Sequence, residues 1–292
     1  MDTVSRRDFL STSMFIFLTG VTGCLSDGND TDRIDVTASM NDVEIPRAEF
    51  EVTATNRGDE TFVTTPESLS VAKLSDGEPK HIRRAHLLLQ DGPALELEPG
   101  DSETWEINVD NEDESFLGDT GGMEMNLTGL GPGTYLFGFP SDTETYGVDE
   151  GRATSVEFVG EQPEVTPVDG AEAVERDGRL YVVPRSEDND TGVVAVVSKV
   201  DVGEAEDVPE GTPELITEQV LQFGVTRNSV HFFDATEGTD ELHVKGDRTA
   251  AEMDVFGQIA RLTADGVSSF FAHSGNSYYF KYEGNVYEIR IE

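Results

Sequence analysis

Between Ile34 and Phe158 apolar residues recur at every second position, and this period restricts the possible folds more than any other feature of the chain. Ala48, Phe50, Val52 and Ala54 alternate with Glu49, Glu51 and Thr53. Leu95 and Leu97 alternate with Glu96 and Glu98, and Trp105, Ile107 and Val109 with Glu106 and Asn108. Tyr135, Phe137 and Phe139 share one face of T-Y-L-F-G-F-P, and Val156 and Phe158 close the series. Side chains on a strand point alternately to opposite faces, so this pattern predicts antiparallel strands with one face buried and one wet. Turn formers punctuate it at Asn56-Arg57-Gly58-Asp59, Ser75-Asp76-Gly77, Asp91-Gly92-Pro93 and Pro99-Gly100-Asp101. Short strands at such spacing predict a β-sandwich over residues 34–160.

Residues 161–169 carry two prolines and no period, which reads as a linker. Residues 170–292 mix periods and predict an α+β domain with two helices, in a chain that is mainly β. Gly178–Pro184 and Gly192–Val200 read as strands. The V-V-A-V-V run in the second is apolar on both faces and therefore central. Pro213–Phe223 has helical spacing, with Thr212 as N-cap and Pro213 in the first position. Ser229–Phe233 and Glu241–Val244 read as strands, and Thr249–Thr263 as a second amphipathic helix. Ser277–Glu292 reads as a hairpin turning at Glu283-Gly284-Asn285, with Tyr278, Phe280 and Tyr282 facing the return strand.

The chain carries 59 acidic against 20 basic residues, a formal charge of −39, and only five of the basic residues are Lys. Residues 1–23 hold two of each sign, so residues 24–292 keep the full −39. Such a charge argues against nucleic-acid binding, which needs a basic surface. The combination (rich in Asp, Glu, Thr and Val, poor in Lys) resembles proteins of halophilic archaea. In 1 M salt the Debye length is about 3 Å, so repulsion among surface carboxylates nearly vanishes. The charge then describes the solvent and not a partner.

The N-terminus carries an address. Arg6 and Arg7 precede Asp8-Phe9-Leu10, and a diluted apolar run follows to Val21. At about a dozen residues the run is too short for a hydrocarbon core of roughly 30 Å. The paired arginines resemble the twin-arginine export signal, and Val21-Thr22-Gly23-Cys24 resembles the lipobox of exported lipoproteins. The resemblance implies that residues 1–23 are a leader cut before Cys24. The Cys24 sulfur then carries a lipid that holds the protein on the outer face of the cytoplasmic membrane. Two lipid chains anchor stably, because each buried methylene is worth about 0.8 kcal/mol. Residues 24–33 read as a polar tether. Cys24 is the sole Cys, which excludes an intrachain disulfide, a Cys nucleophile and a Cys-ligated zinc or copper site. The sequons at Asn29, Asn126 and Asn189 predict surface loops in an exported chain.

The segment Leu130-Gly131-Pro132-Gly133-Thr134-Tyr135 is similar to the turn before a late strand in immunoglobulin-like and fibronectin-type domains. There the Tyr hydroxyl bonds back to the chain as a tyrosine corner. Leu97-Glu98-Pro99-Gly100-Asp101, with Trp105 beyond it, resembles the L-x-P-G-x(n)-W segment of extracellular immunoglobulin-like modules. Some bacterial proteinase-inhibitor domains of the BsuPI type share this layout. The resemblance implies a fold and no inhibitory activity, because no reactive-loop residue can be matched.

Three constellations could carry chemistry. Lys80, His81, Arg83, Arg84 and His86 form a basic patch in an acidic chain. It reads either as a charged edge strand or as a docking spot for lipid headgroups, a glycan or the other domain. His231 and His273, each beside a Phe-Phe pair, would share a cleft if their strands were neighbours. With a carboxylate they could bind a metal and run a hydrolase. Tyr278, Tyr279 and Phe280 could line a pocket between the domains and make the chain a small-ligand receptor. No nucleophile elbow, H-E-x-x-H, P-loop or dinucleotide fingerprint is present, so no cofactor is expected. The expected role is a membrane-anchored, non-enzymatic binding or interaction module in high salt, its partner a surface protein or glycan.

Overall fold

The computed structural model describes residues 33–83, 94–112, 123–140, 148–168, 170–183, 193–200, 208–222, 224–236, 238–245, 272–274 and 277–291. The period-two region forms β1 (Ile34–Ala38), β2 (Asp42–Glu44), β3 (Arg47–Asn56), β4 (Phe62–Thr64), β5 (Ser70–Ser75) and β6 (Glu78–Arg83). It continues with β7 (Leu95–Leu97), β8 (Ser102–Asp110), β9 (Glu124–Leu127), β10 (Gly133–Gly138) and β11 (Ala153–Val159). One sheet has the order β1-β3-β8-β9 and a second the order β2-β11-β10-β5-β6, with β4 and β7 paired apart.

The alternation becomes the core. Phe50, Val52, Trp105 and Ile107 of the first sheet join Val71, Tyr135, Phe137 and Phe158 of the second in one buried cluster. Phe50 meets Phe137 edge to face, ring centroids 5.4 Å apart, which locks the two sheets in register. The Trp105 indole N–H donates to the Pro66 carbonyl at 2.7 Å, so its burial leaves no orphan donor. At the first turn, buried Asn56 donates to the carbonyls of Glu60 and Leu97 and accepts from the Gly58 N–H. A polar side chain at zero exposure is stable there because its donors and acceptor are met.

The second half builds a seven-stranded sheet. Its strands are β12 (Glu172–Arg176), β13 (Arg179–Val183), β14 (Val193–Val200), β15 (Glu241–Lys245), β16 (Ala272–Ser274), β17 (Ser277–Tyr282) and β18 (Asn285–Ile291). The order β12-β13-β15-β14-β18-β17-β16 places β14 in the middle, as its two-faced apolar run requires. The hairpin β17–β18 turns at Glu283-Gly284, with φ of 48° and 75°. These positive values are those of a two-residue hairpin turn, and they pair Tyr278 with Ile289 and Phe280 with Tyr287. Strand β12 has no clear period and was not foreseen. Its exposed residues leave only Val174 half-buried, and the β13 ladder supplies what the pattern lacks.

Two expectations fail here. The helix over Pro213–Phe223 is reduced to α1 (Thr217–Val220), and Thr212 caps no helix, its hydroxyl donating to the Pro209 carbonyl instead. Pro213–Leu215 instead follows β17 beside Lys281. Its Leu215 N–H donates to the Lys281 carbonyl and its Pro213 carbonyl accepts from the Lys281 N–H, both at 2.8 Å. These ladder bonds outweigh helical spacing. The strand expected over Ser229–Phe233 is instead the second half of α2 (Gly224–Ala235). Val225, Ser229, Val230 and Phe233 are buried, and Phe233 packs on Tyr287 with centroids 5.8 Å apart. Packing on the sheet overrides the β preference of Val-His-Phe-Phe. The helix expected at Thr249–Thr263 lies outside the described residues.

Candidate functional site at the domain junction

The strongest polar constellation centres on Glu218, in the four-residue helix α1. Its side chain is 1% exposed. The Oε1 atom accepts from Lys73 Nζ at 2.7 Å, the Gly131 N–H at 3.0 Å and Gln162 Nε2 at 3.1 Å, and lies 3.4 Å from the Tyr135 hydroxyl. Lys73 comes from β5, Gly131 and Tyr135 from the turn into β10, and Gln162 from the segment joining the halves. A carboxylate of the second half therefore seats in the first.

The seat is the predicted turn. The Tyr135 hydroxyl donates to the Gly131 carbonyl at 2.9 Å, closing the corner on itself. That leaves the Gly131 N–H facing outward for Glu218. A Cβ at Gly131 would stand 2.5 Å from both Glu218 Oε1 and Gln162 Oε1, so any larger residue there would push these side chains out of the seat. Lys73 lies over the Tyr135 ring, 5.7 Å from its centroid. Burial first, and the Glu218 charge second, hold the Tyr135 phenol far above its ordinary pKa. Burial raises Tyr278, Tyr282 and Tyr287 as well.

These tyrosines set an alkaline limit. Their folded pKa values exceed the unfolded value near 10, so their contribution is intact below pH 10 and is lost as pH rises further. Phenolate absorbance near 295 nm is expected to lag behind that of the unfolded chain above pH 10 and to catch up only as the chain unfolds. Full ionisation in a still folded protein would contradict this burial.

The joining segment is pinned along its length. Arg227 of α2 donates to the Thr166 carbonyl and hydroxyl. The Val168 N–H donates to Asn228 Oδ1 at 2.8 Å. His231 Nδ1 lies 3.0 Å from the Val165 carbonyl, which assigns the proton to Nδ1. The stretch read as a linker is thus a strap bound to α2.

This geometry relocates the sequence candidates. His231 sits on a helix, so the neighbouring-strand arrangement proposed for it and His273 does not exist. His273 lies on β16, and its side chain is outside the described residues. Among the described residues no group of three or more His, Cys, Asp or Glu could hold a metal ion. Tyr278 and Phe280 are core, Phe280 stacking on Tyr287 at 4.8 Å, and Tyr279 bonds Glu288. Lys80 and His81 stand on β6, where Lys80 lies 3.7 Å from Glu78 and the His81 carbonyl accepts from Gln219 Nε2 at 3.2 Å. Gln219 of the second half thus reaches the backbone of this strand. Arg83 closes β6, and its side chain, like Arg84 and His86, is outside the described residues. Asn126 lies on β9 and not in a loop, its Oδ1 accepting from Asn108. Arg6, Arg7, Cys24, Asn29 and Asn189 are outside the described residues.

Sequence reasoning missed Lys73, Gln162 and Glu218. One signal was available: Lys73 is among five lysines in the chain and sits in the apolar strand S-V-A-K-L-S. A scarce, expensive ammonium in such a place demands a partner. Nothing distinguishes Glu218 among 59 acidic residues.

No family model matches the chain, and no curated protein matches it. Among solved structures, a β-glucosidase from Listeria innocua in complex with gluconolactone is similar over 45% of this chain and 17% of that one, at 16% identity and a TM-score of 0.23. The chain spans less than a fifth of that protein's length, and a likeness of this size says nothing of fold or chemistry here.

Proposed function

We propose that the chain is a twin-arginine-exported lipoprotein, anchored through Cys24 on the outer face of the cytoplasmic membrane, whose two domains serve as a non-enzymatic interaction module in molar salt. The observation that carries this reading is the spacing of Arg6-Arg7 from Val21-Thr22-Gly23-Cys24 around a short apolar run. The first domain is read as an immunoglobulin-like sandwich, supported by the bond from the Tyr135 hydroxyl to the Gly131 carbonyl and by two sheets sharing one aromatic core. An acidic, well-hydrated surface suits brine. The Glu218 centre supports a fastening, since its donors converge on one oxygen.

Cell fractionation in high salt tests the anchor. The wild-type chain is expected with the membrane, and Cys24→Ser is expected in the soluble extracytoplasmic fraction. Unchanged membrane association of the variant, or a cytoplasmic wild type, would overturn the reading.

A further inference from the structure

We infer that Glu218 is a latch that makes the two domains one rigid body, so that the protein presents its outer surfaces in a single fixed geometry. Domains joined by a short connection ordinarily move against each other unless their interface is large and apolar. Here a different device is present. A side chain from α1 plugs into the tyrosine corner of the first domain, and its oxygen gathers donors from β5, from the corner turn and from the strap. Gln219, the next residue, bonds the backbone of the edge strand β6. The strap between the latch and α2 is then held at Val165, Thr166 and Val168. Swinging either domain would break the bonds from Glu218 to Lys73 and Gly131 and from Gln219 to the His81 carbonyl together, because these cross from one half to the other.

Salt sharpens the case. Exposed ion pairs are nearly silent in molar salt, whereas the Lys73–Glu218 pair is 13% and 1% exposed and is screened far less. Its partners also supply neutral hydrogen bonds that screening does not touch. The latch therefore holds in molar salt, and the inference stands whether or not the chain is anchored through Cys24.

Spin labels read the domain geometry directly. Residues 24–292 with Cys24→Ser would carry labels at Val63→Cys in the first domain and Glu175→Cys in the second, both exposed positions. A control pair, Met40→Cys with Val63→Cys, lies within one domain. Pulsed dipolar spectroscopy is expected to give the interdomain pair a distance distribution as narrow as the control. Lys73→Glu sets a second carboxylate against Glu218, and Gly131→Ala drives a methyl into the seat. Both changes lie in the first domain, so the second keeps its own core. Each is expected to broaden the interdomain distribution several-fold and leave the control narrow. If Lys73→Glu fails to fold, Gly131→Ala carries the test. A broad distribution in the unmodified protein overturns the inference, as does a narrow one in Gly131→Ala.

Discussion

Glu218→Ala is expected to lower the unfolding free energy by about 3 kcal/mol, and Lys73→Met by roughly half as much. The asymmetry follows from the wiring. Removing the carboxylate leaves a mostly buried ammonium and the buried Gly131 N–H without their common acceptor. Each abandoned buried donor costs about 1–3 kcal/mol, and more when charged. Removing the ammonium leaves Glu218 with its other donors, and the methionine fills the space over the Tyr135 ring. Urea unfolding of residues 24–292 in high salt, followed by tryptophan emission from Trp105, gives both values. Equal losses would show that the pair acts alone and that Glu218 is no hub. The two substitutions share one network, so their effects should not add.

The second large effect concerns salt. Glu51, Glu106 and Glu124 stand directly opposite one another across β3, β8 and β9, all exposed on the outer face of the first sheet. Adjacent strands lie about 4.8 Å apart. The Debye length is about 10 Å at 0.1 M salt and about 3 Å at 1 M, so the strand spacing falls inside the first and outside the second. Like charges in facing positions destabilise a sheet. Unfolding midpoints should therefore rise steeply with salt up to molar concentrations, and residues 24–292 are expected to lose their fold in dilute buffer. Glu106→Gln removes the middle charge and both of its repulsions. It is expected to stabilise by about 0.5–1 kcal/mol at 0.1 M and by close to nothing above 1 M. A stability independent of salt, or a Glu106→Gln effect that persists at 3 M, would separate the chain's charge from its solvent.

How much of this was legible can be judged from particular residues. The period of Phe50, Val52 and Ala54 foretold β3, and Trp105, Ile107 and Val109 foretold β8, because a strand's burial is written locally in alternate positions. The Tyr135 corner was legible from L-G-P-G-T-Y, because the bond from its hydroxyl spans only four residues. The α2 helix was misread as a strand over Ser229–Phe233, since a five-residue apolar run suits either period and the sheet beneath it decides. The extended path of Pro213–Leu215 was illegible in its own spacing. It is held by ladder bonds to Lys281, far along the chain.

What the amino-acid order determined alone was therefore local: alternating strands, the corner around Tyr135 and the surplus of acidic residues. The pairing of Lys73 with Glu218, the docking of the strap on α2 and the seating of one half on the other were decided only in three dimensions. Those contacts join residues 56 to 145 positions apart, and among so many interchangeable carboxylates only proximity in the folded chain selects the one that is buried.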